Sequence, residues 1–183
     1  MTAVTDQERQ GVVTFKGNSM TLVGPALKMG DRAPEFHLVA NDLSAVTLQD
    51  ALGDGSRAAL LIVVPSIDTS VCSLETARFN KQVRELPEGR IATFTVSEDL
   101  PFAQKRWAEH EQVKSLQLLS DYKDHLFGKA YGVWIKELGL LARSIFIIDK
   151  GGIIRFAQIV PEIATEPDYD AVLAAARDVA LSG

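Results

Sequence analysis

Ala58-Ala59-Leu60-Leu61-Ile62-Val63-Val64-Pro65-Ser66-Ile67-Asp68-Thr69-Ser70-Val71-Cys72 carries the architecture of this chain in miniature. Ala58 to Val64 is apolar without a break, the pattern of a strand buried on both faces. Pro65 stops it, and a helix is predicted from about Val71. Leu74, Phe79, Val83 and Leu86 recur at spacings that share one face, and Pro87 and Gly89 close the helix. Downstream the alternation continues. Ile91 to Val96 reads as a second buried strand. Asp99 stands where an N-cap belongs, with Pro101 in the first turn of a helix running to about His110. Leu116 to Leu119 is a further strand. A helix capped by Ser120 or Asp121 follows, carrying Leu126, Phe127, Ala130 and Tyr131. Ser144 to Asp149 and Ile153 to Ile159 flank Lys150-Gly151-Gly152, a hairpin signal. Thr165-Glu166-Pro167-Asp168 opens a last helix with Val172, Leu173, Ala176 and Val179 on one face.

Upstream, Val12 to Phe15 and Met20 to Val23 flank Lys16-Gly17-Asn18-Ser19 and read as a β-hairpin. Glu35 to Ala40 and Val46 to Leu48 are two short extended segments around Asn41-Asp42. Strands that alternate with helices imply βαβ crossovers and a sheet covered on both faces. The late hairpin makes that sheet mixed. The expectation is an α/β, thioredoxin-like fold with a mixed central sheet, flanking helices and an N-terminal β-hairpin. Residues 11–183 form one domain in this reading, and the polar residues 1–10 fray.

Composition narrows the function. The 183 residues are 46% hydrophobic and 23% charged, ordinary for a globular domain. A net charge of −5 argues against a general nucleic-acid binder, which neutralises phosphates with basic residues. The apolar run Ala58 to Val64 is far short of the ~20 residues that span a bilayer. The start, MTAVTDQERQ, has no apolar core of a secretory leader, so a cytoplasmic protein with no membrane partner is expected. His37, His110 and His125 are too scattered to suggest a metal site. A single cysteine excludes an internal disulfide and a multi-cysteine metal centre.

That cysteine, Cys72, falls in the first turn of a helix that follows a buried strand. Helix N-termini beyond the carboxyl ends of strands are where α/β folds bind ligands. Their free N–H groups and partial positive charge favour a thiolate, by at most ~2 kcal/mol. A lone cysteine is also a common small buried hydrophobe. The preceding P-x-x-x-T-x-x-C spacing argues for chemistry. It returns the Thr69 hydroxyl about one turn before the thiol, within reach of the sulfur and an incoming oxygen. Pro65 supplies a ring that can wall the sulfur from water.

PSIDTSVC followed by ETARFN resembles the peroxidatic-cysteine motif of the peroxiredoxins, and specifically their thiol peroxidase subfamily. Leu38 to Leu48, Ser97 to Gln104 and Thr165 to Tyr169 resemble the same subfamily, so the likeness spans about residues 11 to 183. It implies a thiol-dependent peroxidase acting on hydrogen peroxide and organic hydroperoxides through a cysteine sulfenic acid. Cys72 would be the nucleophile, Thr69 would orient the peroxide and Pro65 would shield the sulfur. Arg143, in Leu141-Ala142-Arg143-Ser144, would stabilise thiolate and peroxide. Without the resemblance, Arg143 reads as a surface charge at a strand entry. Glu75, one turn past Cys72, is expected to face solvent, with a contact to Arg143 as its alternative. Asp68 reads as a turn cap. Trp134 and Ile135 read as core residues, with a hydroperoxide pocket as their alternative role. The resemblance further implies no haem, flavin or metal cofactor, a thioredoxin-type or small-thiol reductant, and a homodimer.

The chain departs from the subfamily at the second, resolving cysteine, whose place is read as Thr95. A natural one-cysteine protein resolved by an outside thiol and an engineered replacement both fit the sequence. Two other classes compete. A Cys–His hydrolase needs a histidine base that no motif supplies. A redox sensor would share the sulfenic acid, and turnover with a reductant separates it from a peroxidase.

Overall fold

The computed structural model describes residues 7–182. Its main sheet has seven strands in the order β11-β10-β5-β6-β7-β3-β4. They are β3 (His37–Ala40), β4 (Ala45–Thr47), β5 (Ala58–Val63), β6 (Ile91–Ser97), β7 (Gln117–Ser120), β10 (Ser144–Ile148) and β11 (Ile154–Ile159). β5, β6 and β7 are parallel, whereas β10, β11, β3 and β4 add on antiparallel. The mixed α/β sheet expected from the alternating pattern is therefore present.

The unbroken apolar run of β5 has a direct structural cause. Ala59, Leu61 and Val63 join a core cluster on one face, and Leu60, Ile62 and Val64 join a second cluster on the other. The second cluster is closed by helices α2 (Ser70–Gln82), α3 (Pro101–His110) and α5 (Tyr169–Leu181), through Phe79, Trp107, Val172 and Ala176. The first is closed by α1 (Leu48–Ala51), α4 (Leu126–Ala130) and a small four-stranded sheet. Burying a Leu, Ile or Val side chain contributes about 1.5–3 kcal/mol, so a strand with six buried residues anchors both layers.

The small sheet runs β1-β2-β8-β9, from β1 (Glu8–Phe15), β2 (Asn18–Val23), β8 (Trp134–Ile135) and β9 (Leu140–Leu141). The N-terminal hairpin is thus part of a second sheet. Its close approach to the turn after α4 demands two glycines. A Cβ on Gly24 would lie 1.9 Å from the Lys129 carbonyl, and one on Gly132 1.9 Å from that of Pro25. Both glycines also hold positive φ.

Several expectations change. Residues 8–10 do not fray: they pair with Thr21, Leu22 and Val23 in β1, while residues 1–6 lie outside the described part. Leu48 is the first residue of α1, whose Thr47–Asp50 capping box ends the extended segment one residue earlier. Leu74 faces solvent. The buried stripe of α2 is Cys72, Glu75, Thr76 and Phe79. Asp99 does not cap α3; the N-cap is Leu100, with no side-chain bond. Asp121 serves α4 from a distance, accepting from the Phe127 and Gly128 amides at 3.1 and 2.8 Å.

Candidate active site

The segment Pro65–Thr69 leaves the carboxyl end of β5 and re-enters the fold as α2. Thr69 is the N-cap of α2: extended in backbone, it accepts at Oγ1 from the Cys72 amide at 3.4 Å. The same hydroxyl donates to the Ser66 carbonyl at 3.0 Å. The hydroxyl therefore holds the helix start and touches the Cys72 backbone, where the sequence suggested a bond to the thiol. One lone pair stays free to accept from an incoming peroxide O–H. Donating to the peroxide would require the hydroxyl to rotate off Ser66.

Cys72 occupies the first turn of α2 and is 0% exposed. Facing its sulfur is Arg143, from the link between β9 and β10. Nη2 lies 3.2 Å from Cys72 Sγ, Nε donates to the Ile163 carbonyl at 2.9 Å, and Nη1 bonds the Glu75 carboxylate. Every edge of the guanidinium has a partner, so its orientation is fixed before any substrate arrives. Arg143 is 1% exposed; the surface-charge reading is wrong because two anion-forming groups on α2 hold it inside.

Glu75 is 0% exposed, so the expectation that it faces solvent is overturned too. One helical turn beyond Cys72, it projects from the same buried stripe. Burial pushes its pKa up to about 7, against the pull of Arg143, and Glu166 adds to the rise. Its Oε1 has no hydrogen-bond partner, so nothing at that oxygen offsets the desolvation. Burial also opposes the charge of Arg143, but Glu75 and Cys72 beside it outweigh this and raise its pKa.

Pro65 is buried at the exit from β5. Asp68 is exposed, and its amide donates to Ser66 Oγ at 3.2 Å. Trp107 of α3 donates to Ser73 Oγ at 3.0 Å, fastening α3 to the helix that carries the sulfur. Tyr169, packed on Phe79 with centroids 5.0 Å apart, was not picked out by sequence; burial first, then Glu75 and Glu166, raise its phenol pKa. Thr95 lies in the middle of β6, fully buried between Ile62 of β5 and Leu118 of β7. Trp134 and Ile135 belong to the opposite core cluster, apart from the sulfur. His37 and His110 are exposed. His125 bonds Glu98 at 2.8 Å and packs at a tilt against Trp134. Among the described residues, no three His, Cys, Asp or Glu side chains converge to hold a metal.

Such an arrangement suits a thiol that reacts as its anion. A helix start and a guanidinium both favour negative charge on Sγ. The guanidinium is already aimed where charge would build on an oxygen bound beside that sulfur.

Comparisons with known proteins agree with this chemistry. The family model described as AhpC/TSA matches residues 29–157. A thiol peroxidase of Halalkalibacterium halodurans is 48% identical over 165 residues, covering 90% of this chain and 96% of that protein. The thiol peroxidase of Bacillus subtilis is 43% identical over the same share of this chain. Among solved structures, a peroxiredoxin-like protein from Aquifex aeolicus superposes with a TM-score of 0.84 at 40% identity, covering 93% of this chain and 97% of that one. A thiol peroxidase from Chromobacterium violaceum shares the fold, with a TM-score of 0.78 at 19% identity.

Proposed function

The chain belongs to the AhpC/TSA family, among the thiol peroxidases of the peroxiredoxins, and from that premise we propose how its own residues reduce a hydroperoxide. The observation that carries the reading is the 3.2 Å contact of Arg143 Nη2 with Cys72 Sγ, at a helix start and away from water.

The Cys72 thiolate attacks the terminal oxygen of ROOH. An S–O bond forms as the O–O bond breaks, and RO⁻ leaves and takes a proton to become an alcohol, or water when R is hydrogen. Arg143 loses its ion pair with the sulfur as charge moves to the leaving oxygen, which the same N–H groups can follow. Thr69 accepts from the peroxide O–H, and Pro65 keeps water from the sulfur. The product is a sulfenic acid on Cys72.

Cys72 is the sole cysteine of the 183 residues, so resolution uses an outside thiol. That thiol attacks the sulfenic sulfur, a mixed disulfide forms and water leaves. A second thiol then displaces Cys72. The reductant is a small thiol or a thioredoxin-type protein. By family likeness the working unit is a homodimer in the cytoplasm. Among the described residues no helix is long and apolar enough to cross a membrane, and the chemistry calls on no cofactor.

Stopped-flow mixing of the reduced protein with hydrogen peroxide tests the assignment. A second-order fluorescence change is expected in the wild type, reported by Trp107 beside Ser73, and none in Cys72→Ser. Equal peroxide consumption by the two proteins overturns it.

A further inference from the structure

We infer that Asp99 is a positioning residue for this reaction: it holds the Pro65–Thr69 loop in the geometry that lets Cys72 meet a peroxide. The inference rests on Cys72 being the nucleophile, as proposed above.

Asp99 follows β6 and precedes the first turn of α3, the usual place for a helix cap. Its carboxylate turns away from that helix and crosses to the neighbouring loop. Oδ1 accepts from Ser66 Oγ at 2.7 Å, and Oδ2 accepts from the Ile67 amide at 2.8 Å and from Ser97 Oγ at 2.6 Å. α3 is left with Leu100 as N-cap and no side-chain bond at its start. A residue that abandons a stabilising local role marks a place where another demand prevails.

That demand is visible in what Asp99 holds. Its backbone is pinned first: its amide donates to Ser97 Oγ at 3.3 Å, and its carbonyl accepts from Ser120 Oγ at 2.5 Å. Gln104 of α3 donates to the same Ser97 hydroxyl at 3.0 Å and to the Leu119 carbonyl at 2.9 Å. The carboxylate is thus mounted on the ends of two core strands. Beyond it, Ser66 passes the constraint on. The Ser66 carbonyl accepts from both the amide and the hydroxyl of Thr69, at 3.1 and 3.0 Å. Thr69 Oγ1 in turn accepts from the Cys72 amide. An unbroken run of hydrogen bonds links Asp99 to the backbone of the nucleophile, without Asp99 touching the sulfur. Ile67, whose amide Asp99 holds, is itself fully buried in the cluster around Cys72.

The physical consequence is separable from that of Arg143. Arg143 acts through charge on the sulfur. Asp99 acts through placement of Thr69 and of the Pro65–Thr69 loop. Misplacement of a reacting group slows attack on a substrate that needs alignment, and hinders a small alkylating agent far less.

Asp99→Ala, Asp99→Asn and Ser66→Ala test this. Three quantities are read on each: the second-order rate of Cys72 oxidation by hydrogen peroxide, the rate of alkylation by iodoacetamide, and the pH at which thiolate absorbance at 240 nm appears. Hydrogen bonds to a charged group carry enough energy for peroxide oxidation to fall about ten- to a hundredfold in Asp99→Ala. Alkylation is expected to hold or accelerate as the loop loosens, with the thiolate profile in place. Asp99→Asn keeps one acceptor oxygen and should recover part of the rate. Ser66→Ala should slow peroxide attack in the same direction, and adding it to Asp99→Ala should bring little further loss, because both remove one link. If Asp99→Ala fails to fold, the isosteric Asp99→Asn and Ser66→Ala decide. Peroxide rates equal to wild type in the folded variants overturn the inference. So does a parallel loss of both rates with a displaced thiolate profile, which would make Asp99 an electrostatic residue. Wild-type protein whose Cys72 does not react with peroxide at all defeats the underlying assignment instead.

Discussion

Cys72, Arg143 and Glu75 form a competition for one guanidinium. The thiolate and the carboxylate both seek Arg143, and burial holds the carboxyl up to about 7. Arg143→Ala should slow peroxide attack, because the sulfur and the leaving oxygen lose their cation. Arg143→Lys should restore only part of the rate, since an ammonium cannot serve Ile163, Glu75 and Cys72 at once with a planar fork. Both are read by stopped-flow rates of Cys72 oxidation. Arg143→Ala also strands Glu75. Removing one partner of a buried pair destabilises by about 3 kcal/mol or more, so denaturant unfolding at pH 8 should show such a loss. At pH 5, where Glu75 is already protonated, the loss should be smaller. Cys72 and Thr69 were legible in the sequence, because P-x-x-x-T-x-x-C marks a strand exit and a hydroxyl about one turn before a first-turn thiol; that Thr69 caps α2 was not. Arg143 was legible through family likeness, since an arginine before a strand has no local signature of burial. Glu75 was set towards solvent in preference to Arg143, although its spacing from Cys72 and Phe79 puts all three on one helical face.

At the level of elements, the ends of β6 and β7 gather ionisable groups, of which the sequence placed Asp99 and Asp121 at helix caps. Glu98 and Asp121 are each held up to about 7, chiefly by burial. The Gly128 and Phe127 amides counteract the rise in Asp121, and each carboxyl also feels a neighbouring negative charge. Starting from ordinary values of 4.5 and 3.8, the folded protein keeps protons that the unfolded chain has released. Stability contributed by this pair therefore falls as pH rises from about 4 to about 7. Glu98→Gln should flatten that decline, measured as urea midpoints across the window; an unchanged slope would contradict it. The contact between the hairpin and the α4 turn is as demanding. Gly24→Ala forces a Cβ onto the Lys129 carbonyl at φ +110° and should lower stability by at least about 1–3 kcal/mol, read by thermal unfolding. Long periodic elements such as β5, α2 and α5 were plain in the sequence. The two-residue strands β8 and β9 were not, because two residues carry no periodicity and only pairing, of β8 with β2 and of β9 with β8, defines them. Asp99 was assigned to α3 because an aspartate two residues before a proline satisfies a capping pattern; its diversion to Ser66 depends on a tertiary neighbour that no local pattern reveals.

For the whole molecule, one buried thiol with no internal partner sets the behaviour. Sustained turnover should require added thiol, and excess peroxide should drive Cys72 to the sulfinic acid, since no second cysteine competes for the sulfenic acid. Light scattering at micromolar concentration should report a dimer. Glu162 ties the hairpin turn to the loop after β11. It accepts from Thr14 Oγ1 and from the Lys16, Gly17 and Ala164 amides, and its pKa drops from 4.5 to about 2, led by the Ala164 and Gly17 amides. The stability it contributes is present above pH 4.5 and lost as pH falls towards 2. The most direct test of the account is mass spectrometry of the reduced protein after one equivalent of hydrogen peroxide, with no thiol present and dimedone added to trap sulfenic acid. The account predicts one dimedone adduct per chain, on Cys72, which disappears when thiol is added before the trap. Peroxide consumed with Cys72 unmodified, or oxygen delivered only to methionine, would contradict it.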